Sequence, residues 1–138
     1  MSKRPDPLAS LARLRRLETG TARRRLAEEA GRLHAAEERA AAAGAALVSE
    51  RGAGVPADYA AWVARGIAER DRAALGAVHA AERLTGAQAA LAEARVAERC
   101  LEQLVRDRAC AVRARVEKAE QAGVDDAAGR KAHAAKRR

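Results

Sequence analysis

Asp58 to Gln121 is a run of about 64 residues without proline, in which apolar residues return at alternating intervals of three and four. Written as heptads, it places Tyr59, Val63, Gly66, Arg70, Ala73, Ala77, Ala80, Leu84, Ala87, Leu91, Ala94, Glu98, Leu101, Val105, Arg108 and Val112 in one a/d seam, and only Arg70, Glu98 and Arg108 among them are neither apolar nor small. The spacing predicts a single helix on the order of 95 Å long at about 1.5 Å per residue. No compact core of a 138-residue chain accommodates such a rod. The seam therefore needs a partner helix. Because it is mostly alanine, a partner can approach closely while burying little area, at about 25 cal/mol per Å².

The partner is found upstream. Asp6-Pro7 has the form of a helix start, with aspartate as N-cap and proline at the first helical position, where its missing N–H costs nothing. The first helix is expected to run from about residue 7 to 50. Leu8, Leu11, Leu14 and Leu17 give it a dense apolar start, and Leu26, Ala30, Leu33, Ala36, Ala40, Ala43 and Leu47 carry a second stripe at helical spacing. Between the stripes, Thr19-Gly20-Thr21 costs about 1 kcal/mol in helix propensity and is expected to let the phase slip or the rod bend. Two glycines and a proline in residues 51–57 end the first helix and allow the second to start at Pro56 or Asp58. So short a connection turns the chain back on itself. The expected fold is all-α: a long antiparallel two-helix coiled-coil hairpin, one unit over residues 1–138.

Matching the seams across the loop gives an expected register. Setting Leu47 against Val63 makes facing residue numbers add to about 110, which puts Leu33 on Ala77, Leu26 on Leu84 and Gly44 on Gly66. Glu37 then lies one layer from Arg70, a candidate register-fixing pair. Leu8 meets Glu102, so about 19 residues of the second helix project beyond the first, with Leu104, Val105, Val112 and Val116 along one face. A stripe of this kind on an unpaired helix is an interaction surface, for a partner or for self-association. After Gln121 the pattern is expected to end at Gly123, with Asp125 and Asp126 capping a short turn and residues 123–138 forming a basic tail.

Composition bounds the chemistry. Charged residues make up 33% of the chain and aromatics 1%, with no phenylalanine and with Tyr59 and Trp62 together near the loop. This is the composition of long helices, not of a large core. His34, His79 and His133 are isolated, no metal-ligand spacing or phosphate-binding glycine motif is present, and the paired acids fall on helix faces. The expectation is a non-enzyme without metal or cofactor. Cys100 and Cys110 lie ten residues apart, too far along one helix for a mutual disulfide, and read as reduced thiols. The N-terminus is polar and the longest uncharged run, Ala40 to Ser49, is too short to span a bilayer, so a cytoplasmic protein is expected. A net charge of +8 with a pI near 10.6 makes nucleic-acid binding the rival reading, through Arg23-Arg24-Arg25 and Lys136-Arg137-Arg138. Against it, acids interleave the arginines and there are no aromatics along the rod to stack bases.

Three stretches together carry a resemblance: the leucine-rich opening LARLRRLETGTARRRLAEEAGRL, the aromatic pair opening the second helix, YAAWV, and the closing RVEKAEQAGVDDAAGR. A hairpin with these features resembles the FliJ family of flagellar type III export proteins, although Asp126 stands where that family more often has glutamate. The resemblance implies a stalk similar to the central shaft of rotary ATPases, on the cytoplasmic face of the inner membrane. It implies binding of the hexameric flagellar export ATPase at the open end of the hairpin, a link to the export-gate membrane protein, and service to export chaperones. Carried onto this chain, the ATPase contact falls on Leu8 to Leu17 and on Leu104 to Arg130, including Val105, Val112, Val116, Asp125, Asp126 and Arg130. Tyr59 and Trp62 become candidates for the gate contact. A generic coiled-coil adaptor remains the third reading.

Overall fold

The computed structural model describes residues 6–49 and 56–136. Among them are two helices, α1 (Pro7–Ser49) and α2 (Pro56–Lys136), packed antiparallel as a hairpin. The connection expected over residues 51–57 lies, up to Val55, outside the described residues. So do residues 1–5 and the last two arginines of the tail.

The helix start at Asp6 is as the sequence predicts. Its carboxylate Oδ1 accepts from the Leu8 amide at 3.1 Å, and its carbonyl accepts from the Ser10 amide at 3.1 Å, which satisfies an otherwise free donor of the first turn. From there Leu8, Ala12, Arg15, Thr19, Ala22, Leu26, Glu29, Leu33, Ala36, Ala40, Ala43 and Leu47 are buried or half-buried. Their spacing alternates four and three without interruption, so the heptad phase runs straight through Thr19-Gly20-Thr21, where a slip or bend was expected. Thr19 is the reason. It is 2% exposed, and its hydroxyl donates to the Ala94 carbonyl of α2 at 3.4 Å, so the polar group sits in the seam with a partner. Leu11, Leu14 and Leu17 are exposed and Ala30 is exposed as well, whereas Glu29 occupies the seam.

On α2 the expected seam holds from Tyr59 to Leu101 with one exception. Arg70 is exposed and pairs with its neighbour Asp71 at 2.8 Å. Glu37 is exposed too, so the two residues do not fix the register. The core is thin, consisting of Ala36, Ala80, Ala87, Leu91 and Leu101 around the buried Thr19 and Glu29.

The register itself differs from expectation by about half a heptad. Leu47, not Gly44, faces Gly66, and facing residue numbers add to 113, as they do for Thr19 and Ala94. Large residues then meet small ones, Leu33 against Ala80, Leu26 against Ala87 and Leu101 against Ala12. That volume match distinguishes this register from the one that sets Leu47 on Val63. A Cβ on Gly66 would collide with Leu47 Cδ2 and lie 3.3 Å from its Cγ, whereas one on Gly44 would meet nothing within 4 Å. Gly66→Leu should therefore lower stability by about 1–3 kcal/mol through overpacking. Gly44→Ala should raise it by about 0.5–1 kcal/mol through helix propensity. Thermal melts of the two variants check the register, and equal shifts in the same direction would refute it.

The second departure is at the far end. α2 does not stop near Gln121 but continues through Gly123 and Gly129 to Lys136. An isolated glycine costs about 1 kcal/mol in a helix, and each is preceded by alanine, the best helix former. Gln121 Nε2 donates to Asp125 Oδ1 at 3.0 Å across Gly123, and Arg130 Nε to the Asp126 carbonyl at 3.3 Å across Gly129. Asp125 and Asp126 are thus mid-helix residues, not caps. No helix is long and apolar enough to cross a membrane among the described residues.

Candidate functional site

The site follows from a difference in length. Arg108 Nη1 lies 3.5 Å from Asp6 Oδ1, and this ion pair marks where α1 begins beside α2. Residues 109–136 have no α1 residue beside them, an extension of about 42 Å. Every described side chain on it is exposed.

Leu104, Val112 and Val116 are 51–52% exposed and Val124 is 62% exposed. Val112 and Val116, four residues apart, share one face, whereas Leu104 lies about 80° round the helix from Val112 and Val124 about 80° beyond Val116 in the other direction, so Leu104 and Val124 are on nearly opposite sides. Val124 adds exposed apolar surface on another side of the extension and was not anticipated, because a helix ending at Gly123 excludes it. Val105 is a boundary case. It is 37% exposed, occupies a seam position opposite Leu8, and lines a shallow groove with Ala12, Arg16, Glu102 and Arg106. Neither Val105 nor Leu104, both before Arg108, is therefore part of the free extension, as a shorter α1 overlap would have made them. Leu11, Leu14 and Leu17, at 40%, 49% and 63% exposure, add apolar surface from α1 at the same end of the rod.

Asp125, Asp126 and Arg130 lie on the extension. Tyr59 and Trp62 do not: they sit at the opposite end of the rod, about 80 Å from Val112 along the axis. Their rings stack on each other with centroids 5.9 Å apart and an interplanar angle of 25°, and both residues are half-buried. The sequence-predicted residues thus form two separate groups.

The chain matches no family model, curated protein or solved structure. Among the described residues no group of three or more His, Cys, Asp or Glu is placed to hold a metal ion. Cys100 and Cys110 are free and exposed. Charge is unevenly spread. On one flank of the hairpin Arg23, Arg95 and Arg99 line a groove with Glu98 and Glu102, and Glu102 lies 3.8 Å from Arg16 and 3.5 Å from Arg106. Five guanidiniums there face two carboxylates, so this flank is basic next to the apolar extension.

Proposed function

We propose that this protein is a non-enzymatic coiled-coil stalk of the flagellar protein export apparatus, resembling FliJ, that binds the hexameric export ATPase and links it to the export gate. The observation that carries the reading is the single-helix extension with its apolar stripe. A lone helix about 10–12 Å across fits a central pore, and Val112 and Val116 on one face with Val124 further round the helix give a surrounding partner apolar area to bury. The exposed leucines of α1 widen the contact at the base, Asp125, Asp126 and Arg130 contribute polar contacts, and Tyr59 and Trp62 at the far end serve the gate membrane protein. In this reading the protein is cytoplasmic and peripheral to the inner membrane, and escorts export chaperones.

The arginine flank favours one second reading, a basic helical protein that binds nucleic acid through phosphate contacts. Salt separates the two. Calorimetry of the full chain against a flagellar export ATPase hexamer should show an affinity that changes by less than about tenfold between 50 and 200 mM salt, since apolar docking is weakly screened. Phosphate binding through six or more contacts would fall by about a thousandfold or more over that range. Absence of ATPase binding, together with steeply salt-dependent binding to a DNA or RNA duplex, would overturn the stalk reading.

A further inference from the structure

We propose that the extension of α2 pairs with the extension of a second copy of this chain, antiparallel and tail to tail. The register the hairpin uses internally sets a face of each heptad against the complementary face of its partner, a positions opposite d positions. Carried past Arg108, the α2 seam continues through Val112, Arg115, two alanines, Asp126 and Gly129. Placing two such seams antiparallel, a against d, leaves few choices, each seven residues apart. In one of them residue numbers in facing layers add to 241. Arg115 of each copy then meets Asp126 of the other, Val112 meets Gly129, and the two central layers hold alanine alone. The flanking positions agree, since Lys118 falls opposite Asp125. Four ion pairs of matched sign thus arise from one two-fold axis, and Val112 over Gly129 repeats the large-on-small match of Leu47 over Gly66.

The neighbouring registers fail. Sliding one heptad towards the hairpin drives Asp126 and the ten helical residues after it against the stretch of α2, up to Arg108, that α1 already covers. Sliding one heptad away sets Asp126 on alanine and Arg115 on His133, losing the acid-base match. In the favoured register the incoming helix occupies the place α1 leaves vacant from Ala109 onward, where residue 132 faces Ala109, and only residues 133–136 reach the stretch beside the first turn of α1 and must diverge from it. This inference goes beyond the stalk proposal and does not rest on it: failure to bind an ATPase leaves it standing. A second copy and another partner would compete for Val112.

Sedimentation equilibrium and small-angle scattering on the full chain test it. A monomer should measure about 120 Å and the tail-to-tail dimer about 200 Å. Arg115→Asp and Asp126→Arg should each weaken association at least tenfold by opposing like charges, and the double variant Arg115→Asp/Asp126→Arg should restore it to within about threefold. Circular dichroism establishes that each variant keeps its helicity. A chain that stays monomeric to about 1 mM would overturn the proposal. So would a dimer of about 120 Å, or one indifferent to the single charge reversals.

Discussion

Replacing both Arg32 and Arg83 with alanine is expected to lower the stability of the hairpin by about 3 kcal/mol, a fall of roughly 10 °C in Tm. The target of the change is neither arginine but Glu29, a carboxylate 5% exposed in the middle of the seam. Arg32 Nη1 donates to its Oε1 at 2.6 Å, and Arg83 Nε to its Oε2 at 3.2 Å from the other helix. Both guanidiniums are more than half exposed. Deleting them leaves the acid buried without a counter-charge, whereas deleting the acid leaves two arginines that water solvates readily. Glu29→Leu should accordingly be neutral or stabilising, and adding it to the double alanine variant should recover most of the loss. A melt of the double variant within about 2 °C of the unaltered protein would show that water already reaches Glu29.

The second large effect is on binding. Val112→Asp with Val116→Asp should leave helicity and melting nearly unchanged, because neither side chain has an α1 residue beside it. Burying two carboxylates in an apolar partner groove costs several kcal/mol, so affinity for a flagellar export ATPase should drop a hundredfold or more. Leu26→Asp with Leu84→Asp is the control that loses binding by unfolding the rod. Unchanged ATPase affinity in a folded Val112/Val116 variant would remove the extension as the docking site.

These two cases show what the sequence carries and what it does not. Which residues of α2 face α1 was legible from Tyr59 to Leu101 apart from Arg70, since three-four spacing translates directly into one face of a helix. The Asp6 cap was legible for the same local reason. Register was not, because an alanine-rich seam offers nearly the same buried area when slid by three residues; the choice turned on Leu47 fitting over Gly66 and on a hydroxyl reaching Ala94. Glu29 was missed in favour of Ala30 because apolarity was weighed above phase, although counting three from Leu26 and four back from Leu33 lands on the glutamate. In the candidate site Val112 and Val116 were readable as exposed neighbours on one face of the extension. Val124 was hidden by treating Gly123 as a terminator, where a cost of about 1 kcal/mol is outweighed by the helix on either side.

The continuity of α2 bears on how quickly the extension can engage anything. An isolated peptide would first have to nucleate a helix, a step unfavourable by a factor of about a thousand. Here the paired half of α2 is already wound, so each further turn only elongates an existing helix and no separate nucleation event is needed. A partner therefore meets a recognition element in its bound shape, without a folding step between encounter and docking. Association should then proceed at ordinary rigid-body rates, about 10⁵–10⁷ M⁻¹s⁻¹, and the lifetime of the complex, more than its speed of formation, becomes the quantity that sequence changes along the stripe adjust.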